Sequence, residues 1–397
     1  MKMEFMKFYE VLNDFHSSDI IDSDVRRNGK MKSPESGNRR YHVFHNQVLR
    51  TLLLFAMVSL ACLVLYHAVY PLQFSPVRFY SFSLPRVYAH ANTSTNSGNE
   101  EDKLEGVLKR AAMSNKTVLI TTLNEAWAEP NSVFDLFLES FRIGNQTLWL
   151  LKHLVVAALD QKAYARCLEL HPNCYFLKTD GVDFSVEAHF MSPGYLKMMW
   201  RRIDFLRIVL DMGYNFIFTD TDIMWFRNPF PHFYLDTDFQ IACDNFLGNP
   251  WDLNNAPNGG FNYVKSSSQT IQFYKFWYKS RQNYPRKHDQ DVLNKIKYDP
   301  FISEIGLKIK FLDTAYFGGF CQPSKDLNFV CTMHSNCCVG LDNKVHDLKI
   351  LLQDWTKYLD LPPKLKESKT LSWTVPQRCG SGHRRIARKK NDKTRNL

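Results

Sequence analysis

The order of short apolar strands and amphipathic helices between residues 117 and 218 constrains the fold of this chain more than any other feature. β-Branched and apolar runs predict strands over residues 117–123, 152–159, 174–178 and 215–218. Helices are predicted between them over residues 132–141, 161–170 and 195–212, where capping residues or helical periodicity occur. This alternation predicts an α/β fold with a mostly parallel sheet flanked by helices, whose ligands lie at the carboxyl ends of strands.

The last of these strands runs directly into Asp220-Thr221-Asp222 and a second apolar run. Residues two apart on an extended segment point the same way, so both carboxylates project together from a strand end. Two hard oxygen ligands suit Mg²⁺ or Mn²⁺ and leave coordination positions for phosphate oxygens. Aspartates at this spacing also occur in turns and helix caps. Carboxylates between apolar runs need a partner, however, because an unpaired buried charge is costly, so a metal-bound diphosphate is the first hypothesis.

Three further clusters follow the aspartate pair. Gly259 and Gly260 allow a ligand to approach the backbone closely, although an ordinary tight turn has the same composition. Residues 288–294, His-Asp-Gln-Asp-Val-Leu-Asn, place acids and an amide at a predicted helix start, for which a capped and solvated helix end is the alternative. His334 could supply a third metal ligand and Lys344 a phosphate contact, whereas a single histidine more often has a structural role.

An apolar segment near the N-terminus predicts a membrane anchor. Residues 51–77 contain no Asp, Glu, Lys or Arg, and residues 51–72 approach the length of about 20 residues that spans a bilayer. A cleavable signal peptide is disfavoured because the segment begins far into the chain, and a buried core helix is the alternative. More basic residues precede the segment than follow it closely, which predicts a cytosolic N-terminus and a type II signal anchor.

Composition divides the chain into five parts. Residues 1–50 are predicted to be a disordered cytosolic tail, 51–72 the transmembrane helix, 73–112 a lumenal stem, 113–363 the folded domain and 364–397 a basic, disordered tail. Eleven Lys or Arg against two acidic residues in that tail account for nearly all of the net charge of +10. A nucleic-acid contact is not expected there, because the tail falls on the predicted lumenal side. Anionic polysaccharide is its hypothesised partner.

The cysteines and glycosylation sequons agree with a lumenal domain. Eight of the nine cysteines follow the predicted anchor, and an even set in an oxidising compartment favours disulfides over zinc. A zinc site that includes Cys167, His171 and Cys174 is the alternative. Sequons begin at Asn92, Asn115 and Asn145. The sequence therefore predicts a disulfide-bonded glycoprotein.

From about residue 115 to residue 363 the chain resembles the plant-type nucleotide-diphospho-sugar transferases of glycosyltransferase family 77. The motifs that carry the resemblance are Leu-Phe-Leu-Glu-Ser-Phe at 136–141, Phe-Thr-Asp-Thr-Asp-Ile-Met-Trp-Phe-Arg at 218–227, Pro-Asn-Gly-Gly-Phe-Asn-Tyr at 257–263, the 288–294 cluster, and Tyr-Phe-Gly-Gly-Phe-Cys at 316–321. The resemblance implies a GT-A fold, a nucleotide-sugar donor, a divalent metal, usually Mn²⁺, and retention of anomeric configuration.

The resemblance also implies roles for single residues. The metal ligands are expected to be Asp220, Asp222 and His334. The donor is expected to contact Arg202 and Lys344, with Arg201 as a competitor for the arginine role, and to approach the backbone of Gly259 and Gly260. The catalytic residues facing the donor sugar are expected to be Asp289, Gln290 and Asp291.

The expected function is metal-dependent, retaining transfer of a sugar to a cell-wall polysaccharide or glycoprotein in the Golgi membrane, with arabinose or xylose as the favoured sugar. Retention requires either a protein nucleophile or front-side attack, and the residues do not choose between these routes. A catalytically inactive carbohydrate-binding relative is the alternative function. A phosphotransferase of the D-x-D-x-T type is disfavoured because Met224 stands where its threonine is required.

Overall fold

The computed structural model describes Met57, residues 100–367 and residues 372–380. The chain divides into two units, 1–93 and 94–397, and every element below belongs to the second. The predicted cytosolic tail and most of the predicted anchor, stem and basic tail lie outside the described residues. Within the ranges that the structure describes, no helix combines the length and the apolar character needed to cross a membrane.

Within the described residues, ten strands form two sheets. In chain order they are β1 (Thr117–Leu123), β2 (Leu154–Ala158), β3 (Cys174–Phe176), β4 (Asn215–Thr219), β5 (Ile223–Trp225), β6 (Phe239–Asn245), β7 (Ala256–Val264), β8 (Ile309–Phe311), β9 (Phe317–Gly319) and β10 (Thr332–His334). The large sheet has the order β3-β2-β1-β4-β7-β6-β8. Its first four strands run parallel, β7 is antiparallel to both β4 and β6, and β8 is parallel to β6. The predicted mostly parallel sheet is confirmed.

Helices flank both faces of this sheet. They are α1 (Glu100–Ala111), α2 (Glu125–Ala128), α3 (Val133–Ile143), α4 (Gln161–Leu170), α5 (Pro193–Asp211), α6 (Ser268–Ser280), α7 (Asp289–Ile296), α8 (Pro300–Glu304), α9 (Leu341–Leu359) and α10 (Pro363–Lys366). One face buries Phe137 of α3 and Trp355 of α9, and the other buries Phe205 of α5 and Trp277 of α6. Successive strand residues alternate between the two cores, as the pleat requires.

All the predicted strands and helices are present, with bounds within two residues of the predicted ones. The predicted stem ended too late, because residues 100–111 form α1, which buries Leu104 and Leu108 in the core. Residues 152–153 were predicted to begin the second strand, but they end a 3₁₀ helix, Leu148–His153. Pairing with β1 begins only where Leu154 lies opposite Leu119. An apolar run this short has no periodicity that separates a strand from a helical turn.

A small sheet of order β5-β10-β9 determines the geometry of the site. Strand β5 begins directly after Asp222, and β10 pairs antiparallel to it, so that His334 lies opposite Ile223. Strand β9 pairs parallel to β10, which places Gly319 beside His334. This sheet therefore brings a histidine from late in the chain to the aspartate pair.

The described part of the chain contains three disulfides, Cys167–Cys174, Cys321–Cys337 and Cys338–Cys379, which confirm the preference for disulfides over zinc. The zinc alternative fails because both of its thiols are oxidised, and His171 Nε2 lies 2.7 Å from the Leu154 carbonyl oxygen. The other two cysteines of the described region, Cys243 and Cys331, are buried free thiols.

Residues 372–380 belong to the tail that was predicted to be disordered, but they contact α9, so the prediction is wrong for this segment. The Asp347 carboxylate accepts hydrogen bonds from the backbone N–H groups of Gln377, Arg378 and Cys379 at 2.9, 3.1 and 2.9 Å. Two turns further along α9, the Asp354 carboxylate accepts a hydrogen bond from the backbone N–H of Thr374 at 2.7 Å. Together with the Cys338–Cys379 disulfide, these contacts fix the segment to the helix.

Candidate metal and donor site

Asp220 and Asp222 lie at the carboxyl end of β4, where their side chains converge. One ligand atom from each, together with a ring nitrogen of His334, falls within 4.8 Å of the others. The backbone N–H of Asp220 donates to the Gly260 carbonyl oxygen at 2.8 Å, which fixes the start of the turn. The Asp220 side chain is 27% exposed and that of Asp222 is 2% exposed, so a ligand reaches the pair from the Asp220 side.

Positive groups and hydrogen-bond donors surround the buried Asp222 carboxylate. Lys344 Nζ lies 2.6 Å from Oδ2, Ser335 Oγ donates to the same oxygen at 2.9 Å, and His334 Nε2 lies 3.1 Å from Oδ1. Burial alone would raise the pKa of Asp222, but the charge of Lys344 and the contacts of His334 outweigh burial and lower this pKa far below its usual range. Lys344 and His334 therefore favour the ionised form of Asp222. Ser335 was not predicted, because nothing in its sequence context marks it.

Lys344 lies on the first turns of α9, within reach of the site. Besides Asp222, its ammonium donates to the Ser335 carbonyl oxygen at 2.9 Å. Its side chain is 15% exposed. The group predicted to contact phosphate is thus placed beside a predicted metal ligand.

Arg202, rather than its neighbour Arg201, faces the aspartates. Its Nη1 donates to Asp220 Oδ1 at 2.8 Å, and its Nη2 forms an ion pair with Asp289 Oδ2. Burial would lower the pKa of Arg202, but the two carboxylates raise it above its usual value. Arg201, about 100° further around the helix, donates instead to Thr179 Oγ1 at 3.1 Å.

Two of the three predicted catalytic residues lie at the site. Asp289 begins α7 with its side chain 1% exposed. Burial would raise its pKa, but Arg202 and His288 lower the pKa to about 2. Asp291 is 38% exposed and lies near Lys287 and His288, at 3.6 Å from each.

Gln290 is fixed on both sides of its amide. The backbone N–H of Gly259 donates to Oε1 at 2.9 Å, and Nε2 donates to Asp244 Oδ2 at 2.7 Å. Asp244 Oδ1 accepts from the amides of Asn258 and Asn336 at 2.8 and 2.7 Å. Asp244 was not predicted. Its position at the carboxyl end of β6 would have indicated it, had that strand been predicted.

The two glycines lie within β7, so the tight-turn alternative is wrong. A Cβ at Gly260 would lie 2.6 Å from Asp220 Oδ2 and 2.7 Å from His334 Cε1. A Cβ at Gly259 would come no closer than 3.5 Å, to Arg202. Gly260 therefore allows the metal-ligand side chains to approach the strand backbone, and Gly259 is not required for this reason.

The described structure thus brings together the three predicted metal ligands, Arg202, Lys344, both glycines, Asp289 and Gln290. Phe190 and Tyr195 border this group, their rings 5.6 and 6.2 Å from that of His288. Burial and the charge of Asp289 raise the pKa of Tyr195 well above its usual value, so its hydroxyl stays neutral. Two carboxylates and an imidazole converge here, and the cations Lys344 and Arg202 lie beside them. Such a group can hold a divalent ion and a phosphorylated ligand.

Comparison with protein families gives one match. A sequence model of the nucleotide-diphospho-sugar transferases matches residues 149–348. The matched range contains the aspartate pair, the glycines, α7, His334 and Lys344. The family match and the site geometry therefore concern the same part of the chain.

Individual proteins are also similar to this chain. An Arabidopsis thaliana protein described as uncharacterized is 54% identical over 289 residues, which cover 72% of this chain and 76% of that protein. The Arabidopsis thaliana beta-arabinofuranosyltransferase RAY1 is 24% identical over 173 residues, 42% of this chain and 30% of its own. The UDP-D-xylose:L-fucose alpha-1,3-D-xylosyltransferase 3 of the same plant is 24% identical over 160 residues, 36% of this chain and 42% of its own.

Proposed function

Because this chain belongs to the nucleotide-diphospho-sugar transferase family, and is a nucleotide-sugar glycosyltransferase, we propose that it is a metal-dependent, retaining enzyme of the plant-type family 77 with a GT-A fold. The observation that carries the proposal is the convergence of Asp220, Asp222 and His334 within 4.8 Å at the end of β4. The two carboxylates suit Mg²⁺ and Mn²⁺ equally. The imidazole favours Mn²⁺, because Mg²⁺ prefers oxygen ligands.

The residues around this ligand set fit a diphosphate donor. A metal ion bound here would supply Lewis-acid stabilisation of the nucleoside diphosphate that leaves. Lys344 keeps Asp222 ionised and presents an ammonium next to the place where phosphate oxygens would bind. Arg202 joins Asp220 to Asp289 and so fixes the side of the site where the donor sugar would lie.

The candidates for a nucleophile are Gln290 and Asp291, with Asp289 as the third predicted catalytic residue. Asp291 lies 3.6 Å from both Lys287 and His288. The contacts of the other two residues support front-side attack. The Asp289 carboxylate is ion-paired with Arg202, and the Gln290 amide is hydrogen-bonded through both its oxygen and its nitrogen. Neither group is free to attack the sugar without losing these partners. We therefore favour a route in which the acceptor oxygen approaches the face that the diphosphate leaves.

The favoured donor sugar is a pentose, arabinose or xylose, and the favoured acceptor is a cell-wall polysaccharide or a glycoprotein. Support comes from the two distant relatives that are named for arabinofuranosyl and xylosyl transfer. We place the enzyme in the Golgi membrane, anchored by residues 51–72 with its catalytic domain in the lumen. Three disulfides and the exposed sequon residues Asn115 and Asn145 support that side of the membrane.

Donor hydrolysis by the full-length protein tests the proposal. UDP-xylose, UDP-arabinose, UDP-glucose and UDP-galactose would each be supplied with Mn²⁺, with Mg²⁺ or with EDTA. We expect pentose donors and Mn²⁺ to give the fastest hydrolysis, and Asp222→Asn to reduce it at least about 100-fold. Asp342→Asn, an exposed carboxylate on α9, is the matched control.

Two further readouts separate the finer parts of the proposal. Product NMR should show retention, and mass spectrometry with a 2-fluoro donor should find no sugar attached to the protein. Hydrolysis that survives EDTA would refute metal dependence. Donor binding without any turnover would favour the inactive carbohydrate-binding relative.

A further inference from the structure

A second pocket, of about 400 Å³, lies apart from the metal site. It is bordered by α5, the end of α6 and the loops 179–184 and 281–287. Lys197, Trp200 and Arg201 of α5 line it, on a different face of the helix from Arg202. Its volume falls in the range of small-molecule sites, about 300 to 1,000 Å³.

The lining of this pocket is strongly basic. Five of its residues are cations, namely Lys197, Arg201, Arg281, Arg286 and Lys287, and none is acidic. Cations gathered around a concave surface repel one another and attract anions. The lining of the free pocket therefore has a surplus of positive charge, which Asp204 and Asp291 offset only in part.

Two of these cations are available to a ligand. Lys197 and Arg286 are exposed and have no polar partner among the described residues. Lys287 Nζ lies 3.6 Å from Asp291 Oδ2, with 56% of its side chain exposed. Arg201 is held by Thr179 and Asp204, so it shapes the wall.

Aromatic rings form the rest of the wall. Trp200 and Tyr278 lie 6.5 Å apart in an edge-to-face arrangement, and Trp200 Nε1 donates to the Lys287 carbonyl oxygen at 3.2 Å. The Arg281 guanidinium lies 3.6 Å from the centre of the Tyr278 ring. The hydrogen bond and the stacking hold the rings in place, and Tyr284 adds a third ring. Electron-rich ring faces attract the polarised C–H groups on one face of a sugar.

We propose that this pocket binds a carboxylated oligosaccharide, with uronic acid residues as the recognised unit. A neutral sugar would use the rings but not the cations, and a bare phosphate would use the cations but not the rings. A uronate uses both, because its ring stacks while its carboxylate forms charge-assisted hydrogen bonds with Lys197 and Arg286.

Two residues of the pocket are sequence neighbours of residues at the metal site. Arg201 precedes Arg202 on α5, and Lys287 precedes His288 at the start of α7. Arg201 and Arg202 lie about 100° apart around α5, a helix roughly 10 Å across, so a few linked sugars are long enough to extend from the pocket to the metal site. A glycan bound here is thus an acceptor candidate. This last step rests on the proposed function, whereas binding itself does not.

Calorimetry on the full-length protein tests the proposal. The probe is a galacturonic acid trimer, and its fully methyl-esterified form is the uncharged control. We expect esterification, or the double variant Lys197→Ala/Arg286→Ala, to weaken binding at least about tenfold. The variant Lys308→Ala/Lys349→Ala removes two exposed cations elsewhere in the domain that have no polar partner among the described residues, and should bind as the unmodified protein does.

Several results would overturn the proposal. These are equal binding of the esterified trimer, unchanged binding by the Lys197/Arg286 variant, or inorganic phosphate that competes as strongly as the trimer. Trp200→Leu should weaken trimer binding, and melting curves report whether each variant is folded. Asp222→Asn should retain trimer binding while it loses donor hydrolysis, so failure of the pocket is distinguishable from failure of the metal site.

Discussion

At the residue scale, the structure explains why position 260 is a glycine, which the sequence pattern alone does not. Its missing Cβ leaves room for the side chains of Asp220 and His334. We expect Gly260→Ala to lower Mn²⁺ affinity at least about tenfold. The added methyl group would push the side chains of Asp220 and His334 out of position, and small displacements of binding groups are costly. Gly259→Ala, one residue away without such contacts, is the control. Equal losses in both variants would show that the strand itself was disturbed.

Lys344 is expected to act on the donor more than on the metal. Its ammonium lies against a metal ligand, so its removal takes away positive charge that competes with a bound cation. Lys344→Met should raise the KM for the donor about tenfold, with Mn²⁺ affinity unchanged or higher. Lys349→Met, exposed on the same helix, is the control. A parallel loss of Mn²⁺ affinity would mean that Lys344 only maintains the fold of the site.

Asp244 is expected to position Gln290 without contacting the metal. Its carboxylate accepts hydrogen bonds from three side-chain amides. If an asparagine replaced it, the new NH₂ group would face at least one of those NH₂ donors, and that hydrogen bond would be lost. Asp244→Asn should lower kcat about 10- to 100-fold with a smaller change in Mn²⁺ affinity. Asp238→Asn, just before the same strand, is the control. Unchanged kcat would contradict a positioning role.

At the element scale, α9 joins the site to residues 372–380. Burial would raise the pKa of Asp347, but the backbone donors of the segment and the His346 ring lower it. A depressed carboxyl pKa contributes stability above the unfolded pKa of about 3.9 and loses it as pH falls through the folded value.

Asp347→Asn tests this contribution. We expect the variant to be destabilised by about 1–3 kcal/mol at pH 7, and the difference from the unmodified protein to shrink below about pH 4. Denaturant unfolding at several pH values measures it, with Asp342→Asn as the exposed control on the same helix. A difference that is constant across pH would exclude the carboxylate as its source.

Local pattern predicted the first half of the fold well. Strands and helices from residue 117 to residue 219 have clear periodicity or caps. The carboxylates of Asp220 and Asp222 converge as predicted, but they do so in a turn between β4 and β5 rather than on an extended strand. The short strands β8, β9 and β10 are three residues each, too short for any period to show. Asp244 and Ser335 join the site through long-range pairing, which a single sequence does not display. His334 and Lys344 were assigned by family resemblance rather than by spacing.

At the scale of the whole molecule, two consecutive cysteines cross-link the segment that carries His334 and Lys344. Cys337 pairs with Cys321, and Cys338 pairs with Cys379, 41 residues away. Both cysteines stand between His334 and Lys344. Cross-links close to binding residues restrict the freedom of those residues as well as stabilising the fold.

Paired serine variants measure this coupling. Cys338→Ser/Cys379→Ser should lower stability by about 2–5 kcal/mol and also raise the donor KM, because the start of α9 loosens. Cys167→Ser/Cys174→Ser removes a cross-link outside the site and should lower the melting temperature alone. An unaltered KM in the first variant would show that α9 holds Lys344 in place unaided.

The two disulfides near His334 and Lys344 make donor binding depend on the redox potential of the compartment that contains the protein. In a reducing environment such as the cytosol, these cross-links would be lost. We then expect a higher donor KM, as in the serine variant of Cys338 and Cys379. An oxidising compartment, such as the lumen proposed above, would form both cross-links and so favour donor binding.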